Sequence, residues 1–177
     1  VLFGPLGFDR DVHGNIASLW LRPDGWVYAT HGFNNISRFE VKPERLNGRK
    51  PGDPGTVLNL QSGNTFRFRP DGSAIEQWAY GQVNPFGMCF DSWGQMFTAD
   101  CHSDPVQQVL RGAHYPSFGK PHDGLGYAPQ MCAHRHGSTG LCGVEIIDRG
   151  IWGKEWDGHL FIGNCVTSRV NHDVVRY

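Results

Sequence analysis

Hydrophobic and polar positions alternate along this chain in short runs bounded by Gly, Pro and Asp, the pattern of brief half-buried strands joined by tight turns. Three of these runs align on one another: DGWVYATHG from Asp24, WGQMFTADC from Trp93 and DGHLFIGNC from Asp157. Each reads as a turn, a strand and a polar terminus. Their starts lie about 69 and then about 64 residues apart, too far for a single hairpin and suited to a repeating four-stranded unit. Between the first two, TFRFR and AIEQWAY flank a Pro-Asp-Gly turn, which predicts the outer hairpin of the same unit. No run has the period of a long amphipathic helix.

Repeated four-stranded units predict an all-β fold, a β-propeller. At about 65 residues per blade the chain supplies about two and a half blades, whereas closed propellers have four to eight. An open arc leaves strand edges and one side of the core uncovered, so residues 1–177 are expected to form part of a single propeller domain in a longer protein, with no internal domain boundary. Two long segments fall outside the blade pattern and are expected as irregular insertions: SRFEVKPERLNGRKPGDPGTVLNLQSGN and YPSFGKPHDGLGYAPQMCAHRHGSTGLCG.

Composition agrees with many short strands: 24 Gly and 11 Pro accompany 6 Trp and 11 Phe. The formal charge of −1, with Lys and Arg scattered, argues against nucleic acid or an anionic membrane and for small or uncharged ligands. No apolar run approaches a membrane span, and VLFGPLGFDRD has no basic region with a cleavage site, so any targeting signal is expected outside this chain. The five cysteines form no C-x-x-C pair, and Thr98 occupies the place where a haem-binding C-x-x-C-H would need a cysteine before Cys101-His102. Cys132 with Cys142 is a candidate disulfide, which leaves at least one thiol over.

Candidate chemistry gathers at strand ends and in one insertion. His31, His102 and Asn164 fall at matching places in their repeats, where they either surround one axis or cap backbone groups. The second insertion carries His122, Asp123, His134, Arg135 and His136. A His-x-His pair on a strand puts both rings on one face, a geometry for zinc or copper; Arg135 between them suits an anion instead. His13 precedes the strand leading into the first repeat and reads either as a general base at a channel mouth or as a turn residue.

The stretch GQVNPFGMCFDSWGQMFTADCHSDPVQQVLRGAHYPSFG resembles the corresponding part of soluble quinoprotein glucose dehydrogenases and the glucose/sorbosone dehydrogenase family. DVHGN, DGWVYATHG, SGNTFRFRPDGS, YPSFGKPHDGLG and HGSTG are closer still to the large dehydrogenase-like propellers of planctomycetes and verrucomicrobia, often described as membrane-bound dehydrogenases and often joined to a c-type haem domain. The resemblance spans nearly the whole chain. It implies a six-bladed propeller, export to the periplasm or cell surface, and a site for pyrroloquinoline quinone (PQQ) and calcium at the channel mouth. By the same resemblance His13 is the base that takes the proton of a sugar hydroxyl while hydride passes to the quinone. An Arg-Asn pair contacts the quinone in those relatives; here the Asn is Asn84 and the Arg position holds Val83, so Arg135 or Arg169 would have to substitute. Backbone carbonyls at Cys101 and His102 match the calcium loop.

A quinone-dependent sugar or alcohol dehydrogenase is therefore the leading expectation, with electrons passing to a haem domain or acceptor outside the chain. A non-catalytic propeller that binds carbohydrate or protein through Trp26, Tyr115, Trp152 and Trp156 is a second. A metal-dependent hydrolase or lactonase is a third, for which Asp100 and Asp123 are the candidate ligands.

Overall fold

In the computed structural model, residues 1–7, 12, 14–102, 106–118, 126–131 and 140–176 are described. The chain opens with β1 (Ala17–Leu21) and β2 (Val27–His31), inserts the hairpin β3 (Ile36–Glu40) and β4 (Val57–Gln61), and returns as β5 (Asn64–Phe68) and β6 (Ile75–Tyr80). Strands β1, β2, β5 and β6 form one antiparallel four-stranded sheet in that order. A second sheet joins β7 (Pro85–Phe90), β8 (Met96–Asp100) and β9 (Val106–Val109), and a third joins β10 (Leu141–Ile147), β11 (His159–Asn164) and β12 (Arg169–Val174). Each is an antiparallel meander. These ten strands are the propeller blades expected from the repeat, and the three aligned runs are β2, β8 and β11, the second strand of each sheet.

The turns that begin these strands follow from their residues. Gly25, Gly94 and Gly158 have φ of 76°, 83° and 82°, where a side chain would be strained. Asp24 Oδ1 accepts from the Trp26 N–H at 3.1 Å, and Asp91 Oδ1 accepts from Trp93 and Gln95 at 3.0 and 2.8 Å, the Asx arrangement that holds such turns. The Pro-Asp-Gly turn does the same between β5 and β6, with Asp71 accepting from Ser73 at 2.8 Å. The predicted outer hairpin is the β5–β6 pair.

Apolar layers lie between the sheets. Tyr28 and Ala79 of the first sheet meet Met88, Phe90, Met96 and Val109 of the second; Cys89, Phe97 and Ala99 of the second meet Leu141, Val144, Leu160 and Ile162 of the third. Tyr28 and Phe97 occupy the same place in the repeat, and each faces the following sheet.

One expectation changes. The first insertion is regular: β3 and β4 pair from Ile36 with Gln61 to Glu40 with Val57, and the polar connection is pinned by Thr56 and Asp53. Its strands alternate as ISRFE and VLNLQ, so that Phe39, Leu58 and Leu60 cover Ala29, Phe66 and Ile75 of the first sheet. Gly and Pro cluster only in the connection, which obscures the two strands when the segment is read by composition.

Candidate functional site

The ends of β2 and β8 and the start of β7 converge. Gly32, just past β2, donates its N–H to the Gly14 carbonyl at 3.0 Å, and Cys101, just past β8, donates to the Asn84 carbonyl at 2.9 Å. Cys165, just past β11, donates to Gly140 in the same way at 3.0 Å. The repeat thus closes each blade at the same end.

Between the first two closures the backbones touch. A Cβ on Gly14 would lie 2.1 Å from the Phe33 carbonyl oxygen, and one on Gly32 would lie 2.5 Å from Asn84 Oδ1. Only glycine fits at either place. Asn84 Oδ1 accepts from the Phe33 N–H at 3.1 Å, tying the first blade to the second. Above this contact the Phe33 ring packs edge-on against His102, with centroids 5.5 Å apart, and against the exposed Phe118 at 5.4 Å. The result is a polar floor with an aromatic rim.

The floor rests on Asp100, which is 0% exposed. Its Oδ2 accepts from Val83 N–H at 2.8 Å and its Oδ1 from the N–H groups of Asn84 at 2.8 Å and His102 at 3.3 Å. Sequence reading placed His102 with His31 and Asn164, but the position that matches them on β8 is Asp100; His102 lies two residues beyond. All three strand-end groups are buried and bonded to backbone. His31 Nδ1 faces the Ser62 carbonyl at 2.7 Å and its Nε2 faces Ser37 Oγ at 2.9 Å, which assigns the hydrogen to Nδ1 and makes Nε2 the acceptor of the Ser37 hydroxyl. Asn164 Oδ1 accepts from Thr167 at 3.1 Å. These residues cap backbone rather than line an axis. Asp100 thus serves as an acceptor for three backbone N–H groups, the place of a structural carboxylate.

The other predicted residues divide. Asn84 and the Cys101-His102 segment stand together, linked by the Cys101-to-Asn84 bond and by their shared acceptor Asp100. His13, Arg135, His122, Asp123, His134 and His136 lie outside the described residues; Gly14, next to His13, is part of the floor. Arg169 is exposed at the start of β12, opposite Asn164 and two strands outward from β10. Val83 is 1% exposed, a packed side chain whose N–H is spent on Asp100. Of the proposed aromatic surfaces, Tyr115 is buried, and Trp26 lies beneath the guanidinium groups of Arg67 and Arg69 at 4.4 and 4.2 Å. Trp152 and Trp156 are exposed beside Phe161. Sequence reading missed Phe33, and it missed Phe118 although that residue lies in the quoted YPSFGKPHDGLG.

Burial pushes Cys101 up to about 11, assisted by its neighbours Cys165, Asp100 and Cys142. Cys89, Cys142 and Cys165 carry free thiols; Cys132, the other half of the candidate bridge, lies outside the described residues. Among the described residues no three His, Cys, Asp or Glu side chains gather around a metal position, and no helix is long and apolar enough to cross a membrane. A calcium held by carbonyls would need no such cluster.

No curated protein matches the chain. Among solved structures, the PQQ-bound form of aldose sugar dehydrogenase from Streptomyces coelicolor is similar, with a TM-score of 0.52 and 15% identity over 98% of this chain. The chain spans 65% of the length of that structure. At this identity the likeness shows the fold alone, a β-propeller. The model of a domain of unknown function, DUF7133, matches residues 1–177, and the chain belongs to that family.

Proposed function

We propose that this chain forms part of a quinone-dependent dehydrogenase-like propeller that oxidises a hydroxyl of a sugar or alcohol. The observation that carries the reading is the convergence of Gly14, Asn84 and Cys101-His102 at one end of the blades, on a fold shared with a PQQ-bound sugar dehydrogenase. Pyrroloquinoline quinone, when bound, supplies the hydride acceptor.

The residues of the chain fit such a group in part. Asn84 has its Oδ1 committed to Phe33, so its Nδ2 is the donor it offers a quinone oxygen. Phe33, His102 and Phe118 supply flat ring surfaces at the rim of the site. His13 would take the hydroxyl proton, and the carbonyls of Cys101 and His102 would be the groups to hold a calcium. Val83 does not replace a guanidinium: it is packed away, and a charge-assisted contact to a quinone carboxylate must come from Arg135 or Arg169. On this reading the protein works in the periplasm or at the cell surface, and a haem domain or other acceptor outside this chain would receive the electrons.

The test is titration of the full-length protein with PQQ and calcium, read by the absorbance of bound quinone and by reduction of an artificial acceptor. The expected result is saturable binding, weakened by Asn84→Ala, and turnover abolished by His13→Gln with binding retained. Absence of quinone binding overturns the proposal. The burial of Val83 favours one other reading, a propeller that has kept the mouth as a binding surface without turnover; it predicts carbohydrate or protein binding indifferent to His13→Gln and to chelator.

A further inference from the structure

On the other side of the loop that carries Phe33, the segment 3–7 arches over β2 and β3 and encloses a cleft of about 390 Å³. Its polar wall is made by Asn35, His31, Ser37 and Asn15, and its apolar wall includes Phe3 and Leu6. Asn35 is 1% exposed, yet its side-chain Oδ1 has no hydrogen-bond partner. A buried acceptor left in this state is a cost that proteins rarely keep without a use.

The hydrogen-bond directions define what the wall can take. The Ser37 hydroxyl hydrogen is committed to His31 Nε2, because His31 Nδ1 donates to the Ser62 carbonyl; Ser37 Oγ therefore shows lone pairs to the cleft. Asn35 Nδ2 points to Asn15 Oδ1 at 3.4 Å, a long contact that leaves that oxygen able to accept again. Asn35 Oδ1, Ser37 Oγ and Asn15 Oδ1 are thus three acceptors on one wall. Among the described residues no carboxylate, Lys or Arg lines the cleft, so an ammonium would find no counter-charge among them. A neutral molecule with several hydroxyl donors and an apolar C–H face satisfies both walls.

We infer that this cleft is a binding site for a small neutral polyol, of monosaccharide size, separate from the mouth at Asn84. It does not rest on the quinone reading, since the cleft and the mouth share no side chain named here. Three directed acceptors recognise hydroxyl positions, and Phe3 and Leu6 cover the ring carbons.

The experiment is calorimetric titration of the full-length protein, free of quinone and calcium, with D-glucose and with myo-inositol. Saturable binding of at least one is expected, weakened at least tenfold by Asn35→Leu and by Ser37→Ala and retained in Asn84→Ala. Asn35→Leu removes a group with an unpartnered oxygen, so its thermal midpoint without sugar is expected at or above that of the parent. Should Asn35→Leu misfold, Ser37→Ala, which deletes one hydroxyl, carries the test by itself. No saturable binding of either polyol overturns the inference. Binding lost in Asn84→Ala but kept in both cleft variants also overturns it, because the polyol then sits at the mouth.

Discussion

Replacing Asp100 by Asn tests the support beneath the candidate site at nearly constant shape. The carboxylate accepts from three backbone N–H groups, at 2.8, 2.8 and 3.3 Å, with no exposure to water. An amide has one acceptor oxygen. In its better orientation that oxygen keeps Asn84 and His102, and the new NH2 group faces the Val83 N–H, donor against donor. One charge-assisted bond is lost, worth about 1.5–3 kcal/mol, and a buried N–H is stranded at a further 1–3 kcal/mol or so. The expected loss is about 4 kcal/mol, which at a urea slope of roughly 2 kcal/mol per molar lowers the midpoint by about 2 M. Equilibrium urea denaturation of parent and variant, followed by tryptophan fluorescence, measures it. A loss below about 1 kcal/mol would refute the assignment of Asp100 as an ionised clamp shared by three amides.

Other perturbations separate support from chemistry. Gly32→Ala places a Cβ 2.5 Å from Asn84 Oδ1 and 2.6 Å from the Gly14 carbonyl, so it is expected to cost about 1–3 kcal/mol in denaturation and to abolish quinone binding where Asn84→Ala only weakens it. Arg67, sandwiched by Trp26 and Trp78 and bonded to Glu76 at 2.5 and 2.7 Å and to the Tyr28 hydroxyl at 2.9 Å, holds the outer part of the first blade. Arg67→Lys loses the flat stack and the forked contacts, with an expected cost of about 2 kcal/mol by the same assay. For Cys101 the folded thiol titrates near 11 against a reference of 9.0, so protonation favours the folded state. That stability is present below pH 9 and lost as the pH rises toward 11. Cys101→Ala is expected to flatten the fall in thermal midpoint between pH 9 and 11, and alkylation of Cys101 in the native Cys165→Ser protein should gain its rate over the same window.

The blade strands were legible because each carries its own punctuation. DG or WG sets a positive φ, an alternating run follows, and a polar residue ends it, so β2, β8 and β11 can be found without their neighbours. The β3–β4 hairpin was hidden, since its alternation is short and its connection holds most of the Gly, Pro and charge of that region. At the site, Asn84 and Cys101-His102 could be named from a family motif. The role of Asp100 could not, because it depends on two amides sixteen and seventeen positions earlier being turned toward one carboxylate. Phe33 and Phe118 were missed for a similar reason: nothing near them in sequence marks a rim.

The same dependence explains why the polar strand ends read as an axial ring and are not one. A histidine, an aspartate and an asparagine at equivalent positions suggest three ligands around a centre. Each instead serves the closure of its own blade, where the next residue returns its N–H across the first hairpin and the chain must then turn without exposing the groups left behind. His31 meets Ser62, Asp100 meets the start of β7, and Asn164 meets Thr167. One structural need is met by three side chains because each can accept or donate to backbone at short range. What differs between blades is the residue after it: Gly32, Cys101 and Cys165. Gly32 lets Asn84 of the following sheet approach to contact distance, whereas the residue that takes the place of Asn84 in the third sheet is Gly140, which has no side chain to reach back toward Cys101. The candidate site therefore sits at the boundary of the first and second sheets, where a glycine on one side meets an asparagine on the other.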